Sequence, residues 1–90
     1  MPPRWPRNGV AMTISQQIRA EVEKQNLTQK ELATRLGIST AYTNDILRGR
    51  RAVSAFVAIR LESVLGMDAG RILHDQVNED LAQARKELRA

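Results

Sequence analysis

Apolar residues recur every three or four positions along most of this chain, which is the spacing that gives an α-helix one apolar side. Ile14, Ile18 and Val22 form the first stripe, and Leu32 and Leu36 form the second. Three further apolar stripes share this spacing. The first is the inner face Thr43, Ile46 and Leu47, the next is Val57, Leu61, Val64 and Leu65, and the last is Ile72, Leu73, Val77, Leu81, Ala84 and Leu88. The pattern predicts five helices and no sheet.

Residues that start and stop helices separate these stripes. Thr28 and Glu31 have the spacing of a capping box, in which each side chain accepts a hydrogen bond from the other residue's backbone. Gly37 suits the left-handed conformation of a helix end, and Ser39 suits the start of the next helix. Comparable start signals for the other three helices are found near Thr13 or Ser15, at Ser54 and at Asp68. Residues 28–48 are therefore predicted to form two short helices joined by a tight turn, a helix-turn-helix.

Residues 29–39, QKELATRLGIS, resemble the helix-turn-helix of the Xre/Cro/lambda-repressor family. That family has the pattern Q-x-E-L-A-x-x-L-G-[IV]-S, and its Gln, Ala and Gly correspond to Gln29, Ala33 and Gly37. The resemblance implies an all-α, five-helix, lambda-repressor-like DNA-binding domain with an extended C-terminal helix. Residues 13–77 would form the DNA-binding domain, and residues 78–90 would extend the last helix. An ordinary helical hairpin within an unrelated bundle is the alternative.

Composition limits the classes of function open to the chain. Its 90 residues are enough for one small domain, and the 42% hydrophobic content provides one aliphatic core. The lack of cysteine excludes disulfides and thiolate metal sites, and His74 is the only histidine. Glu79 and Asp80 are expected on a solvated helix face and not as an acid–base pair. We therefore predict no enzyme, no metal site and no cofactor.

No apolar run reaches membrane-spanning length, and the first residues lack the apolar region of a signal peptide. A cytoplasmic location without membrane attachment is therefore expected. The N-terminal segment, residues 1–12, contains all three prolines and shows no helical periodicity. Arg4, Trp5 and Arg7 could form a basic arm that enters a DNA minor groove. The alternative is a disordered extension that precedes Met12.

Positive charge is concentrated on the helix-turn-helix and the residues directly after it. The whole chain has a net charge of +4, which is typical of nucleic-acid-binding proteins without being specific to them. Residues 29–51 contain five cations and two anions, whereas residues 68–90 contain four cations and five anions. The positive charge thus lies where DNA phosphates are expected.

In a helix-turn-helix, the N-terminal part of the second helix enters the major groove of double-stranded DNA. The resemblance therefore implies that Thr40 and Ala41 contact base edges, with Asn44 and Asp45 one turn later. Thr40 can hydrogen-bond to several bases, and Ala41 can contact a thymine methyl group. Asp45 could accept from cytosine or hold a neighbouring arginine. An Arg or Gln pair that is common at these positions in the family is missing, so sequence specificity is expected to be modest.

The remaining DNA contacts would be made to phosphates. The resemblance implies this role for five residues, namely Gln29, Tyr42, Arg48, Arg50 and Arg51. For the three arginines, a solvated charged loop is the alternative. Thr43 stands where the family usually has Val or Ile, so looser packing of the second helix is expected.

The residues after the helix-turn-helix resemble HigA-like antitoxins. Residues 50–69 are similar to that group's R-x-I-[ST]-x-x-x-A-x-R-L-x-x-x-L-G segment. Further similarity, to the pattern L-x-x-Q-x-x-x-D-L-x-x-A-R, comes from Leu73, Gln76, Asp80, Leu81, Ala84 and Arg85. The group's F-W-L-N-L stretch is absent, since residues 71–75 read RILHD. The resemblance implies a bacterial transcriptional repressor that binds its own operator as a dimer and neutralises a ribonuclease-type toxin.

Two other functions remain open at this stage. One is a phage or prophage Cro/repressor-type regulator without a toxin partner, and the other is a protein-interaction module that does not bind DNA. For a homodimer or partner contact we expect the residues of the last apolar stripe and the only phenylalanine, namely Phe56, Val77, Leu81, Ala84 and Leu88. A frayed, solvated tail is the alternative for residues 78–90. For Phe56 a core position is expected first, and the dimer contact is its alternative.

Overall fold

The computed structural model describes residues 12–89, and within that range the chain forms five helices and no strand. The elements are α1 (Ile14–Lys24), α2 (Gln29–Leu36), α3 (Thr40–Leu47), α4 (Ala55–Leu65) and α5 (Ala69–Arg89). The all-α, five-helix prediction is confirmed, including the long last helix. The predictions for Arg4, Trp5 and Arg7 lie outside the described residues.

Side-chain caps start the first four helices where the sequence indicates. Thr28 Oγ1 accepts from the Glu31 amide at 3.1 Å, and Glu31 Oε1 accepts from the Thr28 amide at 3.0 Å, which completes the predicted capping box. Thr13 and Gln16 form a second capping box at the start of α1. Ser39 and Ser54 each accept one amide hydrogen bond at the starts of α3 and α4. These bonds satisfy amides that the first helical turn leaves without partners.

The core is built almost entirely from aliphatic side chains contributed by all five helices and the segment before α4. Its buried apolar members are Ile14, Ile18, Leu32, Leu36, Ile46, Leu47, Val53, Val57, Ala58, Leu61, Leu65, Ala69 and Ile72. Leu27, at the corner between α1 and α2, is half-buried and packs against this core. Phe56 is 62% exposed, so the prediction of a core position for this residue is wrong. At about 100° per residue, Phe56 lies on the side of α4 opposite the buried residues.

Thr43 is the one polar side chain in the buried centre of the described chain, with 1% exposure. Its hydroxyl donates to the Ser39 carbonyl oxygen at 2.9 Å, so its polar atom has a partner. Within residues 12–89, no buried side-chain nitrogen or oxygen lacks a hydrogen bond. The threonine therefore leaves no unsatisfied polar group where the family usually has Val or Ile.

The α5 helix is tied to the rest of the domain by side-chain hydrogen bonds in its middle turns. Glu79 Oε2 accepts from the Ile14 amide at 2.6 Å, and Gln76 Oε1 accepts from the Val53 amide at 3.0 Å. The prediction that Glu79 lies on a solvated face is therefore wrong, because this carboxylate serves the first amide of α1. Contacts with the domain reach two residues past the boundary expected at residue 77, and residues 80–89 are all exposed.

Arg60 is an inter-helix cap that local sequence signals do not predict. From the half-buried middle of α4, its Nε donates to the Leu36 carbonyl oxygen at 3.2 Å and its Nη2 to the Arg35 carbonyl oxygen at 3.0 Å. These oxygens belong to the last turn of α2, where carbonyls lack helical partners and carry partial negative charge. Arg60 therefore fixes the end of α2 directly before the turn.

We expect Arg60→Ala to lower the free energy of unfolding by about 1–2 kcal/mol, because two carbonyls lose a charged donor. Arg60→Lys should lose less, because an ammonium group retains the charge but cannot serve both oxygens in the same fork. Urea unfolding followed by circular dichroism measures both effects. Arg71→Ala removes the same charge from an exposed position on α5 and serves as the control. Equal losses for Arg60→Ala and Arg71→Ala would contradict the capping role.

Candidate nucleic-acid interface

The turn between α2 and α3 has the geometry of a tight helix end. Gly37 has a φ of +72°, in the left-handed region that favours glycine. The Ile38 amide donates to the Ala33 carbonyl oxygen at 3.1 Å, and Ser39 then caps α3. Ala33 is buried, so the small side chain sits inside this hairpin. The predicted helix-turn-helix is therefore present.

The outer side of α3 carries the four predicted base-reading residues. Thr40 and Ala41 are exposed, whereas Asn44 and Asp45 are half-buried. Residues four apart lie on the same side of a helix, so these two pairs form one continuous surface. Their arrangement agrees with the sequence analysis, and their contact with bases stays a prediction.

The arginine loop, defined as residues 48–53, follows α3 directly and leads into α4. Gly49 has a φ of +74°, and the Arg50 amide donates to the Asp45 carbonyl oxygen at 2.8 Å. The side chains of Arg48, Arg50 and Arg51 are exposed. The loop is thus folded back against the end of α3, with its cations directed to solvent and available for anionic ligands.

Tyr42 and Arg51 connect α3 to the arginine loop. The Arg51 guanidinium carbon lies 5.1 Å from the centroid of the Tyr42 ring, within the range of a cation–π interaction. Tyr42 is half-buried and packs against the core, which holds the ring in place. Nothing in the helical periodicity predicts this pair, because its members belong to different elements. Its effect is to hold one loop cation beside the base-reading surface.

The N-terminus of α2 forms the other predicted phosphate contact. Gln29 is its first residue and is half-buried. Beside it, the hydrogen bond from the Thr28 backbone lowers the pKa of Glu31 below its ordinary value of 4.5, and the Thr28 side chain adds to this effect. Glu31 is therefore ionised at neutral pH, and its carboxylate accepts the hydrogen bond from the Thr28 amide that completes the cap. The phosphate role of Gln29 stays a prediction.

An open cleft separates the arginine loop from α5. It is lined on one side by Arg50 and Arg51 and on the other by Gln76, Glu79 and Asp80. Among residues 12–89 there is no cluster of three potential metal ligands, and no helix there is long and apolar enough to cross a membrane. This cleft places the exposed cations of the arginine loop next to polar residues of α5.

Exposed apolar side chains lie on α4 and on α5. Phe56, Val77 and Leu81 are 62%, 55% and 45% exposed, and Leu88 is 87% exposed. Ala84, also exposed, lies between Leu81 and Leu88 at helical spacing. Ile59, for which no role was predicted, is 56% exposed and lies three residues after Phe56 on the same side of α4. The exposure of Ile59 could have been predicted from the sequence, because this residue lies outside the apolar stripe that α4 buries.

Replacing Tyr42 tests whether its ring holds Arg51. Tyr42→Phe retains the ring, so we expect DNA affinity within about twofold of the unaltered protein, whereas Tyr42→Leu should lose about two- to fivefold. Fluorescence anisotropy with a labelled duplex from upstream of the protein's own gene measures both affinities. Equal losses for the two variants would indicate instead that the tyrosine hydroxyl contacts a phosphate.

Comparisons with known proteins agree with this geometry. A helix-turn-helix family model matches residues 18–72. No curated protein gives a significant sequence match. Among solved structures, the Pseudomonas aeruginosa antitoxin HigA with the higBA promoter has a TM-score of 0.78 and 28% identity, covering 84% of each chain. The antitoxin GraA has a TM-score of 0.77 and 31% identity, covering 84% of this chain and 83% of its own.

A third solved structure adds an operator complex to the comparison. PA4674 from Pseudomonas aeruginosa, in complex with its 18-bp operator DNA, has a TM-score of 0.74 and 29% identity. The alignment covers 83% of this chain and 82% of that one. Together with the helix-turn-helix built by α2 and α3, these matches confirm the resemblance seen in the sequence. The chain belongs to the Xre-type helix-turn-helix family of DNA-binding regulators and is HigA-like.

Proposed function

We propose that the protein represses transcription of its own operon by binding operator DNA as a homodimer, in the manner expected of a HigA-like antitoxin. One observation supports this function more than any other. The exposed side of α3 and the arginine loop form a single surface, joined by the stacking of Arg51 on Tyr42. If the arginine loop were only a solvated charged segment, this contact with α3 would have no function.

Each part of this surface has a distinct task in the proposal. Thr40 and Ala41 meet base edges at the front of α3, and Asn44 and Asp45 follow one turn later. The phosphate contacts come from the two ends of the helix-turn-helix. They are made by Gln29, Arg48, Arg50 and Arg51, and the Tyr42 ring holds Arg51 in place. Because the base-reading side chains are short and few, most of the affinity comes from phosphates, and specificity comes in large part from half-site spacing.

Removing two cations from the arginine loop tests the phosphate role. Arg50→Ala combined with Arg51→Ala should weaken binding to all DNA sequences, because phosphate contacts carry no sequence information. The slope of log affinity against log salt should flatten by about 0.9 for each phosphate that the variant no longer neutralises, hence about 1.8 per protomer. Titrations at several salt concentrations, with the upstream duplex and an unrelated duplex, measure the slope.

The matched control removes two cations from the far end of α5. Lys86 and Arg89 are exposed on its last turns, so Lys86→Ala with Arg89→Ala changes the net charge by the same amount. We expect this pair to leave the salt slope nearly unchanged. An equal effect of both pairs would mean that net charge alone governs binding, and an unchanged slope for the loop pair would remove these arginines from the site.

The homodimer is supported by exposed apolar side chains on α4 and on α5. Five large apolar side chains are substantially exposed on residues 12–89, and four of them were expected at a dimer or partner contact, with Ile59 as the addition. Val77, Leu81, Ala84 and Leu88 follow one another at spacings of three and four, which suits packing against another helix. A two-fold pair of recognition helices could then occupy half-sites about one helical turn apart.

Charge placed within this stripe should separate the protomers. Leu81→Glu puts a carboxylate on an exposed apolar position, so the fold should persist while the dimer weakens by tenfold or more, as roughly expected for burying an unpaired charge. Ala82→Glu adds the same charge to the neighbouring exposed position outside the stripe and should leave the dimer intact. Sedimentation equilibrium measures both. A Leu81→Glu variant that remains dimeric would place the interface elsewhere.

A toxin partner is part of this proposal and rests on similarity alone. The two antitoxins named above match this chain over most of its length, at 28% and 31% identity. The partner in this proposal is a ribonuclease-type toxin. The protein itself would be a cytoplasmic repressor without enzymatic activity. A small toxin gene beside the gene for this protein distinguishes this function from that of a phage Cro-type regulator.

A further inference from the structure

Gln76 is a polar residue of α5 that belongs neither to the base-reading surface nor to the apolar stripe. It is half-buried in the cleft beneath the arginine loop. Its Oε1 accepts from the Val53 amide at 3.0 Å, and its Nε2 donates to Asp80 Oδ1 at 3.0 Å. One side chain therefore joins the last residue of the loop to the helix behind it.

We propose that Gln76 is a positioning residue for DNA binding, which acts by holding the arginine loop in its binding conformation. This inference rests on the proposed phosphate role of Arg50 and Arg51. The loop belongs to no helix and is restrained at its start, in its middle and at its end. At its start, the Arg50 amide bonds to the Asp45 carbonyl; in its middle, Arg51 stacks on Tyr42; at its end, Val53 is bonded to Gln76.

The hydrogen bond between Val53 and Gln76 holds the last residue of the arginine loop against α5. Val53 is 4% exposed, and its amide comes only two residues after Arg51. A buried amide without an acceptor costs free energy, so the loop retains this conformation only while an acceptor stands at that place. The acceptor is a side chain of α5, 23 residues away from Val53 in the sequence.

Asp80 sets which end of the Gln76 amide faces the loop. A glutamine amide carries an acceptor on one side and two donors on the other. Asp80 is a carboxylate one turn further along α5 and can only accept, so it binds the NH₂ group. The carbonyl oxygen of Gln76 is then directed to the Val53 amide, which is the orientation that bond requires.

Loss of this bond would leave the loop able to reach the same phosphates, at the cost of ordering it on binding. Affinity would fall while the number of neutralised phosphates stayed constant. The salt slope would therefore be unchanged, since it depends on that number. This result differs from the flatter slope expected when the arginines themselves are removed.

The test compares Gln76→Met with Gln25→Met in the full chain. Methionine has nearly the length of glutamine but lacks the amide. Gln25 also makes a side-chain bond to the backbone of another element, because its Nε2 donates to the Leu65 carbonyl oxygen at 3.1 Å. That bond lies at the end of α4 away from the arginine loop. Circular dichroism and urea unfolding establish that both variants are folded and compare their stabilities.

We expect Gln76→Met to lower affinity for the upstream duplex by roughly three- to tenfold at an unchanged salt slope. Hydrogen exchange at the Val53 amide, read by NMR, should accelerate. Gln76→Glu keeps an acceptor but loses the donor to Asp80, so exchange at that amide should be slower than in Gln76→Met and faster than in the unaltered protein. Gln25→Met should leave both DNA affinity and Val53 exchange unaltered.

Two outcomes would overturn the inference. Unaltered affinity with faster Val53 exchange would mean that order in the loop does not affect binding. Equal affinity losses for Gln76→Met and Gln25→Met would mean that general stability is responsible. Failure of the proposed function looks different, because the pair Arg50→Ala and Arg51→Ala would then leave the salt slope unaltered whatever Gln76→Met does.

Discussion

The recognition surface depends on the burial of one short helix face. The α3 helix has eight residues, fewer than the roughly 12–15 below which isolated helices are marginal in water. Thr43, Ile46 and Leu47 are 1%, 4% and 9% exposed against α1, α2 and the rest of the core. Fully burying one aliphatic side chain contributes about 1.5–3 kcal/mol, which offsets the cost of ordering so short a helix. Because the inner face is fixed in the core, helical geometry determines where each outward side chain of α3 points.

The helices and the turn could be predicted because their causes are local in the sequence. Thr28 and Glu31 lie three residues apart, and Gly37 and Ser39 come directly after the helix that they end and the one that they start. Apolar spacing likewise identified the buried side of α3. The same reasoning predicted where Thr40 and Ala41 would lie, because their exposure follows from helical geometry once the inner face is known.

What could not be predicted are contacts between elements that are distant in sequence. Arg60 bonds to a carbonyl 24 residues away, and Val53 bonds to Gln76 across 23 residues. Arginine and glutamine on a helix are ordinarily solvated, so neither residue type indicates such a role. Phe56 illustrates the opposite case, since its size suggested the core while its position on α4 placed it outside. Spacing along a helix was a better guide than residue type.

The bond between Ile14 and Glu79 joins residues 65 positions apart. The first turn of α1 contains no acidic residue of its own, so this carboxylate from α5 is the negative charge that faces its positive dipole end. Closing so large a loop costs chain entropy, which the packed core must offset. During synthesis, the start of α1 therefore lacks this partner until the chain has been extended to Glu79, in the middle of α5. Completion of the DNA-binding domain is in this way linked to the presence of the helix that carries the apolar stripe.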